Sequence, residues 1–499
     1  MKVSLLLAAL HALPAYSLTP SAALRPSPLA SPPHASAFVP SPPDTHVLVL
    51  GATGYIGGAV TRELSARGFK VSALVRPGSS IPGPNLSGVR LIEGDVTDKE
   101  SLRSKVFEAP DGPKVDAVIS CVSSRTGAPK ECWRVDYGGS KNALDLLQEF
   151  GGGVKLGRDE SPASPHFVLL SAVCVKNPLL ELQRAKLAIE ADLETQHSSS
   201  SKAASREVHV RGRSSYEASA RAAGGVAAGG RAVRYTIVRP TAYFKSLAGQ
   251  VGRVCAGEPY VTFGDGTHTR ANPISEGDLA ALLVDGLHLP SMRDKALDVG
   301  GPGPPASPAQ QAAMLFKALG REPEMLSVPL GLLDGAVETL EKLERVLPVQ
   351  SVKDTTELAR IGRYYATEDM LGPSYGTETL QGFYQQLVDE FKAKQASREG
   401  LNEEYGTKAL GMPPTTVLAA RAIQTWEKAA GLFTGQPRKK ENAEGDPAAT
   451  GRRLAAPATA AAAAAAMAVA VCSAAPEADS TQTALGAAMA LTSQDPLSF

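Results

Sequence analysis

Residues 47–68 read VLVLGATGYIGGAVTRELSARG, and the fold turns on how this stretch is understood. A short apolar run is followed by glycines at 51, 54 and 57, and then by apolar residues at helical intervals. In a strand–turn–helix unit, such glycines allow a tight turn, close approach of a pyrophosphate to the backbone, and packing of the helix on the strand. The helix N-terminus then offers free N–H groups to the phosphate charge. Alone, a glycine triplet is an ordinary turn signal; inside a βαβ unit it predicts dinucleotide binding.

Outward from that loop, the runs VSALV, VRLIEG, DAVISCV, HFVLLS and YTIVRP alternate with helical stretches such as GSKNALDLLQEF. This rhythm predicts an α/β fold, a doubly wound, mostly parallel Rossmann-type sheet with a smaller C-terminal substrate-binding region. The reductase domain is expected over residues 45–394, with substrate binding mainly in 241–394. A polar, aperiodic insertion at about 195–231 and a largely low-complexity extension at 395–499 flank or interrupt it.

Arg76, about 20 residues beyond the glycine loop, stands where an acid would select NAD, so NADPH is the expected cofactor; a solvated surface arginine is the alternative. Asp95 is placed to meet the adenine or to cap a turn. Cys121 and Val122 end a strand beneath the nucleotide.

Lys and Arg total 51 against 51 Asp and Glu, and no basic stripe with aromatics appears, which argues against a nucleic-acid partner. The five cysteines and eight histidines show no metal-ligand spacing, so no metal is expected. Residues 1–44 read as a signal sequence followed by a plastid transit region. The stretch ASAFVP resembles the cleavage signature of proteins sent into complex algal plastids, and an ordinary secretory leader is the alternative. GRRLAAPATAAAAAAA in the tail resembles a twin-arginine export signal, against the blander reading of low complexity.

The glycine loop, the strand ending at Ser171 and Lys186 together resemble the atypical, extended short-chain dehydrogenase/reductases. VLLSAVCVKNPLLELQRAKLAIEADL, YTIVRPTAYFKSLAGQV, PYVTFGDG, PISEGDLAA, GGPGPPASPAQQAAMLFKALGREP and IGRYYATEDML resemble one family within them, the NADPH-dependent divinyl chlorophyllide 8-vinyl reductases of chloroplasts. The resemblance implies reduction of a vinyl group on a tetrapyrrole to ethyl, a divinyl chlorophyllide substrate, a plastid address and a peripheral association with plastid membranes. It implies Lys186 as the catalytic residue. The cofactor set is Gly51, Thr53, Gly54, Tyr55, Ile56, Gly57, Arg76, Asp95, Cys121, Val122, Ser171, Lys186, Pro240 and Thr241. Cys174, Tyr243, Phe244, Tyr260 and Phe263 would line the substrate pocket, with Lys245 or Arg270 meeting a carboxylate.

Four residues before Lys186, where many such reductases carry tyrosine, this chain has Leu182. A ketone reductase needs a phenol there to protonate an alkoxide, whereas reducing a conjugated C=C leaves the charge on carbon. Water or a nearby side chain would supply the proton, with Tyr243 and Cys174 the candidate donors. Lys186 paired with Glu190 as a plain surface lysine is the structural alternative. The missing phenol also suits an NADP-sensing regulator, and a plastid assembly factor on the same fold is a further alternative because fold does not imply function.

Overall fold

The computed structural model describes residues 44–396 except 80, 82–87, 155–163, 198–215 and 219–231. The expected leader, nearly all of the insertion and nearly all of the C-terminal extension lie outside the described residues.

Seven strands pair in parallel in the order β3-β2-β1-β4-β5-β6-β8. They are β1 (His46–Leu50), β2 (Lys70–Val75), β3 (Val89–Glu93), β4 (Ala117–Ser120), β5 (His166–Leu170), β6 (Arg234–Pro240) and β8 (Lys295–Val299). All residues of β1, β4 and β5 are buried. A strand covered on both faces has no polar side to show, which is why these segments read as unbroken apolar runs. After β3 the chain crosses back to the other side of β1, where Val47 pairs with Val71 of β2 and with Ala117 of β4. The order of winding therefore reverses between β1 and β4, and a crevice opens at their carboxyl ends.

Helices α1 (Tyr55–Ala66) and α4 (Glu276–Asp285) pack together on one face over Val49, Val60, Ile119 and Leu283. The other face is covered by α2 (Ser140–Phe150), α3 (Glu181–His197) and a π-helical stretch, Trp133–Gly139, over Leu48, Val118 and Phe167.

A second cluster forms around Phe244, Val254, Phe316 and Tyr384. It is built from α5 (Pro308–Leu319), α8 (Leu380–Ala396) and the parallel pair β7 (Tyr260–Phe263) and β9 (Met325–Val328). Ser307 caps α5 reciprocally with Gln310, and Gly320, at φ 70°, ends it in the left-handed conformation that favours glycine. Between β9 and α8 run α6 (Leu330–Val346) and α7 (Gln350–Thr367), packed against one another as a hairpin.

This C-terminal part is stitched to the large sheet. The Asn272 side chain donates to the Gly372 carbonyl at 2.8 Å and accepts from the Gly372 amide at 3.0 Å, and its Nδ2 also lies 3.4 Å from the Gly301 carbonyl. The fit is close: a Cβ on Gly300 would lie 2.1 Å from the Asn272 amide.

Candidate active site

At the mouth of the crevice, Gly51 has φ 75°, and a Cβ there would lie 2.7 Å from the Cys121 carbonyl at the end of β4. A Cβ on Gly57 would lie 2.1 Å from the Gly51 carbonyl, so helix and turn touch only because the side chain is missing. Gly54 precedes α1 in extended conformation, and its N–H donates to the Gly51 carbonyl at 2.9 Å. The first-turn N–H groups of α1 have no earlier helical carbonyl to meet, and the first turn holds no acid. This cradle fits a dinucleotide phosphate. Thr53 and Tyr55 are half-buried beside it, whereas the Ile56 side chain is core and only its backbone faces the turn.

Arg76 is exposed just after β2. Asp95 accepts from the Thr97 N–H and hydroxyl, each at 2.9 Å, which makes it a turn residue in this state. Burial pushes the Cys121 thiol up to about 12, and Val122 is buried in the packing under α2 and α3.

Beneath the crevice, Lys186 Nζ lies 3.0 Å from Asp136 Oδ1 and 3.4 Å from the Leu170 carbonyl. The alternative Lys186–Glu190 pair does not form. Glu190 instead binds Arg239, whose Nε lies 3.1 Å from Oε1, and accepts from the Ser171 hydroxyl. Ser171 therefore spends its hydroxyl on that carboxylate. Asp136 was not legible as a site residue: it is one acid inside WRVDYGG, and only the fold shows that it is sealed in. Burial raises its pKa and Lys186 pulls it back down, while Oδ2 accepts from the Ser124 N–H at 2.8 Å. Leu182 packs half-buried against the apolar side chains under α2 and α3.

At the end of β6, Pro240 and Thr241 are buried, and the Thr241 hydroxyl donates to the Asn272 carbonyl at 2.7 Å. Tyr243 is half-buried and meets Tyr55 edge-on, ring centroids 6.4 Å apart; Lys245 Nζ stands 4.8 Å above the Tyr55 ring. The Cys174 thiol is buried and its pKa raised by that burial, though Gln183 and Lys186 draw it back.

Two of the expected pocket aromatics sit elsewhere. Phe244 is 2% and Tyr260 3% exposed, both inside the C-terminal core, where Phe244 packs 5.1 Å from Phe383. Phe244 opens a short helix and Tyr260 opens β7, and both rings serve packing. Phe263 is half-buried at the end of β7. Arg270 is held by Asp369, 3.6 Å between charged atoms, so Lys245 is the better placed of the two cations for a substrate carboxylate.

One wall of the crevice went unread in the sequence. From α7, the Tyr364 hydroxyl donates to the Cys174 carbonyl at 3.2 Å, and a Cβ on Gly127, in the loop after β4, would lie 2.7 Å from Ile361. Helix α7 thus lies across the carboxyl ends of β4 and β5. No cluster able to hold a metal occurs among the described residues, and no described helix is long and apolar enough to cross a membrane.

Residues 47–271 match the NAD dependent epimerase/dehydratase family. The chain is 40% identical over 389 residues to a chloroplastic divinyl chlorophyllide a 8-vinyl-reductase of Oryza sativa subsp. indica, covering 73% of this chain and 84% of that relative. It is 39% identical over 379 residues to the protein of the same name from Arabidopsis thaliana, covering 71% and 79%. The Cucumis sativus protein of that name is 38% identical over 376 residues.

Proposed function

The chain belongs to the divinyl chlorophyllide a 8-vinyl-reductase family, and from that premise we propose how its crevice reduces a vinyl group. It is an oxidoreductase of the plastid that uses a nicotinamide cofactor and turns the 8-vinyl group of divinyl chlorophyllide into an ethyl group. The observation that carries this is identity of 40% sustained over 84% of a relative's length.

NADPH is the form of the cofactor we assign, supported by Arg76, whose exposed guanidinium can bind a 2′-phosphate bidentately. Bound on the glycine loop, the reduced nicotinamide supplies a hydride. Lys186, fixed by Asp136, holds the ribose hydroxyls and keeps the local potential positive as charge builds on the substrate. That charge forms on carbon and spreads into the macrocycle, so Leu182 in place of a phenol is no defect. Tyr55 and Tyr243 offer aromatic surface to a flat ring, and Lys245 a cation to its carboxylate edge.

Contact with a membrane surface is supported by the α6–α7 turn, where Val346, Leu347 and Val349 are 76%, 50% and 52% exposed. The deciding assay is anaerobic incubation of the protein with NADPH and divinyl chlorophyllide. The expected result is a blue shift of the Soret band as the conjugated vinyl is lost. No shift, with cofactor and substrate both bound, would leave a non-catalytic NADP-binding role.

A further inference from the structure

Helix α3 carries Lys186 in its second turn, and three contacts from the π-helical stretch hold it along one side. Trp133 Nε1 donates to Glu181 Oε2 at 2.6 Å, Asp136 pairs with Lys186 at 3.0 Å, and the Tyr137 hydroxyl donates to Asp192 at 3.0 Å. The place of the lysine ammonium is therefore set by the register of α3 against that stretch.

A helix leaves its first N–H groups without a helical acceptor, and where that end is buried each needs one from elsewhere. Here two are met in different ways. The Leu180 N–H, just before the helix, donates to Gln183 Oε1 at 2.9 Å, a cap made within the turn. The Glu181 N–H, at the first helical residue, finds its acceptor 176 residues away in sequence: Glu357 Oε1, at 2.7 Å, on α7. Glu357 is 2% and Glu181 8% exposed, so bulk water does not compete for this bond. A carboxylate so placed also meets the positive end of the helix dipole. Glu357 is steadied in turn by Arg360, 3.5 Å away, which reaches Glu341 at 3.1 Å and Glu344 at 3.6 Å on α6. The contacts thus run from the α6–α7 hairpin, through one carboxylate, into the helix that bears Lys186.

Resting on the cofactor role given to Lys186 above, we propose that Glu357 is a positioning residue: it fixes the first turn of α3 and, through it, the lysine that holds the nicotinamide ribose. Because α7 also forms a wall of the crevice, the substrate wall and the cofactor lysine share this one contact. Loss of the acceptor frays the first turn, and the turn carrying Lys186 loses its register.

The test compares binding of NADPH with binding of 2′,5′-ADP, which has the adenosine 2′-phosphate but no nicotinamide ribose, by titration calorimetry. Glu357→Leu should weaken NADPH roughly tenfold, the worth of one hydrogen bond to a charged group, and leave 2′,5′-ADP within about twofold of wild type. Glu357→Gln keeps an oxygen acceptor at the same reach and should bind NADPH as the wild type does. Glu357→Asp, one methylene short, should behave as the leucine variant and takes its place if that variant does not fold. In a Lys186→Met, Asp136→Asn background, Glu357→Leu should cost no further NADPH affinity, since the contact acts only through the lysine. Unchanged NADPH affinity in the leucine or aspartate variant would overturn the proposal. An equal loss for both ligands, or a further loss in the lysine-free background, would do the same and make Glu357 a general brace of the fold. If the Lys186→Met, Asp136→Asn protein itself binds NADPH as tightly as the wild type, the ribose role of Lys186 falls first, and the proposal with it.

Discussion

Lys186 and Asp136 form an ion pair at 3.0 Å with side chains 9% and 0% exposed, closed off under the carboxyl ends of the central strands. Removing one partner of a buried pair strands the other charge, whereas replacing both with apolar or neutral groups is often nearly neutral. Lys186→Met should therefore lower both turnover and stability, the latter by about 3–5 kcal/mol. Adding Asp136→Asn should restore much of the stability and none of the turnover. Urea melts beside Soret assays separate the two effects; recovery of turnover in the double variant would remove Lys186 from the chemistry.

Arg76→Glu exchanges a phosphate contact for a repulsion. Hydrogen bonds to charged groups are worth about 1.5–3 kcal/mol, so the KM for NADPH should rise roughly ten- to a hundredfold and the gap to NADH should narrow. An unchanged preference in steady-state kinetics would place the 2′-phosphate elsewhere.

Gly57→Ala drives a methyl to 2.1 Å from the Gly51 carbonyl, which must move. Overpacking of this kind costs about 1–3 kcal/mol, and here the displaced atoms form the phosphate cradle. Cofactor binding should be lost in a fluorescence titration before the fold is lost in a thermal melt. Gly54→Ala, with its nearest contact at 3.2 Å, should be milder.

Acid stability should depend on His166. It is 1% exposed beside the Thr236 hydroxyl, and burial lowers its pKa from 6.5 to about 4. Between those values the unfolded chain binds a proton that the folded one refuses, so stability is full above pH 6.5 and declines as pH falls toward 4. Burial lowers His46 and His288 in the same direction. His166→Gln should flatten the fall of melting temperature across that window, by up to about 3 kcal/mol when converted; an equally steep fall would assign it to the other histidines or to carboxylates.

The parallel sheet and its glycine turn were legible in the sequence because their determinants are local. Strands buried on both faces betray themselves as apolar runs, and glycines at 51, 54 and 57 report a steric demand met within a few residues. The rest of the site depends on segments far apart in sequence. Asp136 acquires meaning only when the π-helical stretch is laid against α3, and Tyr364 only when α7 crosses the crevice more than 170 residues after Lys186. Phe244 and Tyr260 misled for the converse reason: an aromatic after a strand is the same letter whether it lines a pocket or fills a core.

The Asn272 staple also bears on the order in which the chain can finish folding. Its principal partner, Gly372, lies 100 residues downstream, past β8, β9 and the helical hairpin. A polypeptide emerging from a ribosome or an import pore could assemble every strand of the large sheet and still hold this amide without its main acceptor and donor. An unsatisfied buried polar group costs about 1–3 kcal/mol, so such a nascent sheet would stay short of its final stability until residue 372 arrives. A chain ended by a premature stop anywhere between β8 and that glycine would keep the nucleotide cradle and its strands, yet should be caught by proteolysis at the loop around residue 272, the last latch having no catch.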